Sequence, residues 1–301
     1  MFSIIIPSLN NLEYLKLCIA SIKKNSEFDH EIIVHVNIGS DGTLSFLKKE
    51  KIKFTYSKDN SGICEGVNRA SKLSTKNYIL YAHDDFYFCP GWDTSFNDEI
   101  NSIGHNKFYL SGTMIQNGQV FLDCGNSINS FNEEKLLKEY KDINYYDFQG
   151  STWAPHLIHR DLWNKVGGFS EEYFPGTGSD PDLNMKLWNE GVRIFKGLER
   201  SKVYHFGSIV TRKSKNKNTI TETGSKGSKI FLLKWGIKIK FFNKYYLNGC
   251  VSKNGQIHCN KYLAPLNNPK KDFYYIFDLF LNKLSYFYCK FTFKYEYRKN
   301  N

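Results

Sequence analysis

Between Phe2 and Ala82 the chain alternates short β-rich runs with stretches of helical periodicity, and this alternation restricts the fold more than any other feature. Phe2 to Ile6, Glu31 to Val36, Lys53 to Tyr56 and Tyr78 to Ala82 read as strands; Leu12 to Lys24, Thr43 to Glu50 and Gly62 to Leu73 read as the helices between them. A βαβαβαβ order predicts an α/β fold with a mostly parallel sheet flanked by helices, because a parallel neighbour needs a crossover long enough to hold a helix. In the first helix Leu12, Leu15, Ile19 and Ile22 recur at spacings of three and four, giving one apolar face for the sheet. Asn10 and Glu13 have the spacing of a capping box at its start.

The middle of the chain is less regular. Trp92 to Ile103 and Glu133 to Asp142 read as helices, and Phe108 to Leu110 and Val120 to Leu122 as strands. Arg160 to Val166 reads as a short helix stopped by Gly167-Gly168, and Pro181 to Glu190 as another stopped by Gly191. Arg212 to Lys229, rich in Lys, Ser, Thr, Gly and Asn, reads as a mobile loop or linker. Beyond it Phe273, Phe277, Phe280, Leu284, Phe287 and Phe291 recur at helical spacing and predict an amphipathic helix.

Charge divides the chain in two. Met1 to Thr223 holds 26 Lys+Arg against 27 Asp+Glu, a net of −1, whereas Gly224 to Asn301 holds 15 against 3, a net of +12. The second segment also carries 19 of the 49 aromatic residues. The reading is one principal domain over 1–223 and a basic, aromatic, largely helical extension over 224–301. Seven scattered cysteines without a CxxC pair argue against a disulfide framework and a zinc ribbon, and fit a reducing cytosol. Cys250, His258 and Cys259 read as bystanders rather than as a metal site. The start of the chain lacks a signal-peptide pattern, and no apolar run is long enough to span a bilayer, so the expected location is cytoplasmic, with any membrane contact peripheral and at the inner face.

Open parallel sheets take ligands beyond the carboxyl ends of their strands. The residues there are polar: Ser8 and Asn10, then Asn37, Ser40 and Asp41, then His83-Asp84-Asp85. Two adjacent carboxylates repel one another, and a hard divalent cation with oxygen ligands offsets that repulsion; magnesium completes its shell with substrate phosphates, so the pair points to a diphosphate ligand. In Gly176 to Leu183, a carboxylate at a helix start could take a proton from an attacking hydroxyl. The same residues read as an N-cap at Asp180, a first-turn Pro181 and a dipole-favoured Asp182. His205 ends a β-like run and offers a third metal ligand, and Arg212, Lys213 and Lys215 behind it could neutralise a departing diphosphate. The loop from Asn60 through Gly62 to Asn68 opens a helix whose backbone N–H groups could face a base or phosphate. No GxxxxGK[ST] or GxGxxG occurs, so kinase and dinucleotide-dehydrogenase readings lack their phosphate-cradling loops.

Taken in order, Ile4 to Asn10, Gly39 to Thr43, Asn60 to Asn68, Tyr81 to Asp85, Pro90-Gly91-Trp92, Val166 to Phe169 and Ser179 to Leu183 resemble the family 2 glycosyltransferases of GT-A fold, over about Met1 to Ser208. The resemblance implies inverting transfer from a nucleotide-diphosphate sugar, with Mn²⁺ or Mg²⁺ at the acidic strand end. It makes Asp85 the direct metal contact, Asp84 a ribose or metal contact, Asp180 the base and His205 the histidine ahead of a basic loop. Pro7, Ser8, Asn10, Asn37, Gly62 and Asn68 fall where the family contacts the nucleoside. Two departures stand out: Asn37-Ile38 replaces the acid that usually follows the second strand, and Ser179 replaces the Glu that often precedes the base. Trp153, His156 and Asp182 are left as candidates to hold a glycan or lipid-linked acceptor, with Trp188 read as core.

The basic aromatic helix has two readings: an interfacial membrane contact, or packing on the body or across a homodimer. A nucleic-acid-binding protein is the rival from another class and draws on the basic tail alone. Sugar-phosphate nucleotidyl transfer ranks third, because Pro7-Ser8-Leu9-Asn10 stands where that chemistry uses a Gly-rich basic loop.

Overall fold

The computed structural model describes residues 1–207, 217–253 and 256–293. Its first part follows the expected rhythm: β1 (Phe2–Leu9), α1 (Leu12–Asn25), β2 (Glu31–Asn37), α2 (Thr43–Lys49), β3 (Lys53–Ser57), α3 (Gly62–Ser71) and β4 (Tyr78–Tyr81). β1 pairs in parallel with β2 and β4, and β2 with β3, giving the order β3-β2-β1-β4. An inner strand is covered on both faces, which is why Ile4, Ile5 and Ile6 run consecutively and are all fully buried. Each contributes roughly 1.5–3 kcal/mol of hydrophobic stabilisation. The cap of α1 is not the expected one. Asn10 Oδ1 accepts from the Ser40 N–H at 2.9 Å, while Asp41 Oδ2, from the next crossover, accepts from the Leu12 N–H at 2.8 Å.

After β4 the sheet becomes mixed. The chain continues through β5 (Phe86–Phe88), α4 (Trp92–Ile103), β6 (Phe108–Gln116), α5 (Glu133–Glu139), β7 (Phe148–Gln149), β8 (His156–His159), α6 (Arg160–Val166), α7 (Ser179–Asn189) and β9 (Ile194–His205). β8 runs antiparallel to β4 and β6, and the long β9 runs parallel to β6 and antiparallel to β5 and β7. The strand expected over Val120 to Leu122 is reduced to a bridge between Ile115 and Val120. A tight reversal, closed by Gln116 N–H donating to the Val120 carbonyl at 2.9 Å, ends pairing there, and Phe121 is left 73% exposed.

The C-terminal part comprises α8 (Lys217–Trp235), α9 (Ile239–Phe242), the hairpin of β10 (Val251–Lys253) and β11 (Gln256–His258), and α10 (Phe273–Thr292). The expected loop over Arg212 to Lys229 is therefore helical from Lys217 onward. Small residues that signal a loop locally serve here for close approach: a Cβ at Gly227 would sit 2.0 Å from the Thr177 carbonyl oxygen. Tertiary packing overrides the weak propensity, since Ile230, Phe231 and Phe242 join the main core. α8 also runs through the boundary expected at 223/224, and Ile230 and Phe231 pack this helical C-terminal extension on the main core.

The cysteine reading needs a correction too. Cys250 and Cys259 form a disulfide across the β10–β11 hairpin, while Cys18, Cys64, Cys89, Cys124 and Cys289 are free and buried. Scattered spacing concealed a pair that two short strands bring face to face.

Candidate active site

Because β1 to β4 are parallel, their carboxyl ends share one edge of the sheet, and the polar residues noted there converge. Pro7 and Ser8 lie opposite His35 and Val36 of β2, and Asn37 lies opposite Leu9. Ser8 Oγ donates to Asp84 Oδ2 at 2.7 Å, joining the end of β1 to the end of β4. Asp84 is buried, and its carboxyl is raised to about 7, first by loss of water and then by the negative charge of Asp85.

Asp85 meets His205 through strand register. Phe86 of β5 pairs with His205 of β9, and the Phe206 N–H donates to the Asp85 carbonyl at 3.2 Å. This places His205 Nε2 at 3.7 Å from Asp85 Oδ1. With His83 they form a cluster whose ligand atoms all lie within 4.8 Å of one another. His205 Nδ1 donates to the Asn117 carbonyl at 3.0 Å, since a carbonyl can only accept, and this orients the ring with Nε2 toward Asp85. Two imidazoles and a carboxylate make a mixed nitrogen and oxygen donor set, which a transition-metal ion such as Mn²⁺ accepts more readily than Mg²⁺ does. His83 stays neutral over the physiological range, because burial lowers it to about 4 against the opposing pull of Asp85. The expected trio was Asp84, Asp85 and His205; the structure groups Asp85 and His205 with His83 and ties Asp84 to Ser8. His83 stood beside the acid pair in the sequence and was passed over as a ligand.

Asp180 faces the same space. A cavity of about 980 Å³ is lined by His83, His205, Asp180, Trp153, Tyr146 and His258, among others. Gly178, at φ +93°, caps α7, and Ser179 begins it, so Asp180 is the second helical residue rather than the cap. Its carboxylate opens into the cavity yet lies deep enough that loss of water raises it to about 7. A carboxyl so placed is poised to hold or accept a proton near neutral pH.

Part of the cavity wall comes from segments that carried no functional signal: Tyr145, Tyr146 and the disulfide-closed hairpin, with Ile257, His258 and Cys259. Tyr146 donates its hydroxyl hydrogen to the Cys259 carbonyl at 2.7 Å, which holds hairpin and wall together. Nothing in the local sequence marks this wall, because the pairing of Cys250 with Cys259 depends on the hairpin between them.

Other expected contacts have different tasks. Asn37 Oδ1 accepts from the Ser61 N–H at 2.8 Å and the Ser61 hydroxyl at 3.0 Å, and Asn60 Oδ1 accepts from the Gly62 N–H at 2.9 Å, so both shape the loop before α3. Gly62 has φ +79°, and a Cβ there would meet the Phe174 ring at 2.8 Å; the loop is pressed on the segment leading to Asp180. Asn68, expected at the nucleoside, braces the chain: it bonds the Phe169 carbonyl at 2.8 Å, the Phe169 N–H at 2.9 Å and Glu171 at 3.1 Å. Asp182 is corrected from acceptor contact to buried anchor, since it is fully buried and accepts from Ser170, Tyr173 and Trp235. His156 is corrected as well: it is 1% exposed among Tyr81, Tyr109 and Phe169, and neither ring nitrogen has a hydrogen-bond partner among the described residues. Trp188 is core, as read. Arg212, Lys213 and Lys215 lie outside the described residues.

Comparison with known proteins bears on the fold and the family. Among solved structures, S. aureus TarS 1-349 has a TM-score of 0.54 at 17% identity, covering 80% of this chain and 65% of that one. TarS 1-349 in complex with UDP-GlcNAc gives 0.53 at 16% identity, covering 80% and 66%. This chain thus spans slightly less than two thirds of those TarS chains, and at such identity the likeness is one of fold. No curated protein matches the sequence. The family model described as Glycosyl transferase family 2 matches residues 3–154, just over half of the chain, from β1 past the acid pair and Trp153. A match of that extent settles membership: this chain belongs to glycosyl transferase family 2.

Proposed function

We propose that the protein is a divalent-metal-dependent, inverting glycosyltransferase that moves a sugar from a nucleotide-diphosphate donor to an acceptor hydroxyl on a glycan or lipid-linked acceptor. The observation that carries this reading is the shared cavity: His83 and His205 of the three-residue cluster line the same space as the Asp180 carboxylate. Asp85, His205 and His83 would hold the cation. A bound Mn²⁺ or Mg²⁺ supplies positive charge that offsets the charge developing on the diphosphate leaving group.

The remaining steps belong to the chain's own residues. Ser8 and Asp84, which are hydrogen-bonded to one another at the ends of β1 and β4, would meet the donor's ribose at the sheet edge. Trp153 and Tyr146 offer aromatic faces suited to the C–H surfaces of a sugar acceptor. Asp180, ionised, takes the proton from the acceptor hydroxyl as that oxygen bonds to the anomeric carbon and the bond from that carbon to the diphosphate oxygen breaks. Attack opposite the leaving group inverts the anomeric centre.

The test is a donor screen. UDP-sugars come first, because the TarS structure of this fold holds UDP-GlcNAc, followed by GDP- and dTDP-sugars, each with and without Mn²⁺. Thermal stabilisation and slow donor hydrolysis that both require the metal are the expected result. Hydrolysis that continues at the same rate in EDTA would remove the cation from the proposal.

A further inference from the structure

Helix α10 presents its hydrophobic pattern outward. The residues it buries against the body are Tyr275, Asn282 and Cys289, seven apart. Tyr275 packs on Phe241 and Tyr245 at 5.1 Å each, Asn282 Oδ1 accepts from the Lys238 N–H at 2.6 Å, and Asp278 accepts from Lys244 and Tyr245. The helix is thus fixed by a largely polar seam. On its other side Phe273, Phe277, Phe280, Leu284, Phe287 and Phe291 are 76, 51, 55, 52, 56 and 83% exposed. At 100° per residue these six fall within about 80° of arc centred opposite the seam, and no charged residue interrupts them. Ile276 and Tyr288, at 58 and 73%, widen the face.

We infer that this face is a docking surface for an anionic lipid bilayer, with α10 lying in the plane of the headgroups. An apolar stripe of this extent on a soluble protein marks an interaction site. No helix among the described residues is long and apolar enough to cross a membrane, so the helix lies on the bilayer rather than through it. Charge selects the partner. Lys283 and Lys290 are exposed along one edge of the stripe, Lys270 and Lys271 are exposed just before the helix, and the segment from Gly224 holds 15 Lys+Arg against 3 Asp+Glu. A second copy seated on this face would bring the same lysines together, as a two-fold contact pairs like with like. Anionic headgroups neutralise them while the phenyl rings enter the boundary of the acyl chains, and long lysine stems let the ammonium groups reach the phosphates. The inference stands independently of the assignment of the catalytic site.

The test uses the full chain and vesicles of phosphatidylcholine with and without phosphatidylglycerol. Co-sedimentation is expected with the anionic vesicles, to be weak with phosphatidylcholine alone, and to fall with added salt. Two double variants change exposed side chains only: Phe280→Asp with Phe287→Asp, and Lys283→Glu with Lys290→Glu. Each should weaken vesicle binding by about tenfold or more at an unchanged unfolding temperature. Failure of the wild type to bind anionic vesicles, or undiminished binding by both variants, overturns the inference. A wild-type dimer that the phenylalanine variant disperses, without vesicle binding, assigns the face to a second copy and overturns it equally.

Discussion

Asp85 and His205 come within 3.7 Å because one residue pair, Phe86 and His205, is locked in register between β5 and β9. The geometry of the proposed metal cluster therefore depends on an antiparallel ladder formed by the second half of the sheet. Asp85→Ala and His205→Ala should each lower Mn²⁺ affinity in the presence of a nucleoside diphosphate by about tenfold or more, and His83→Ala should do likewise. Calorimetric titration with Mn²⁺ measures this. Unchanged affinity in His83→Ala would return the third position to Asp84.

Asp180 gives a pH signature in two observables. Its carboxyl stands at about 7 in the folded chain against an ordinary value of 3.8, raised by burial. As a base it must be ionised, so transfer should fall about tenfold per pH unit below about pH 6, and Asp180→Asn should keep donor binding while losing about 10²–10⁴ in rate. Folding raises this group's affinity for a proton, so its contribution to stability is complete below about pH 4 and is lost as pH climbs through about 7. The Asn variant escapes that loss and should be more stable than the wild type at about pH 8, by up to about 4 kcal/mol. Initial rates and thermal unfolding across the pH range test both. An Asn variant at full rate removes Asp180 from the chemistry.

The legible parts of the sequence were those set by local pattern. Ile4 to Ile6 announced an inner strand, and the acid pair at the end of β4 marked the ligand edge before any coordinates. Asp85 and His205 stand out in the sequence because one follows a strand and the other ends one, and Asp180 because it lies in the first turn of a helix. What stayed hidden depends on contacts between distant segments. Nothing near Gly227 reports the Thr177 carbonyl against it, so a packed helix read as a loop. Nothing near Asn68 reports Phe169, and nothing near Cys250 reports Cys259 or the Tyr146 hydroxyl that docks the hairpin on the cavity. The helix of phenylalanines was read correctly as a helix, but periodicity alone does not say which side meets the body.

Asp182 connects the catalytic helix to the basic segment. Its carboxylate accepts from Trp235 Nε1 at 2.7 Å and pairs with Lys234 at 3.0 Å, and Lys234 also reaches Glu172 at 2.8 Å. Removing one partner of a buried charged network leaves the others uncompensated, so Asp182→Ala should destabilise the protein by about 3–5 kcal/mol. Urea unfolding provides the measurement. A variant of normal stability with a raised acceptor KM would restore Asp182 to the acceptor site.

The hairpin wall gives the last prediction. Trp153, Tyr146 and Cys259 form one part of the cavity lining, and Tyr146 is bonded to the hairpin through the Cys259 carbonyl. If that part holds the acceptor, loosening it should affect acceptor use and leave the donor untouched. Trp153→Ala, and separately Cys250→Ser with Cys259→Ser, should raise the acceptor KM by about five- to tenfold, equivalent to roughly 1–1.4 kcal/mol of lost contact. Metal-dependent donor hydrolysis in the same variants should match the wild type, because the Asp85, His205 and His83 cluster is held by the β5–β9 ladder and not by the hairpin. Loss of donor hydrolysis together with acceptor use would place the donor against this wall instead. Steady-state kinetics with the acceptor varied at saturating donor, beside hydrolysis without acceptor, distinguishes the two arrangements.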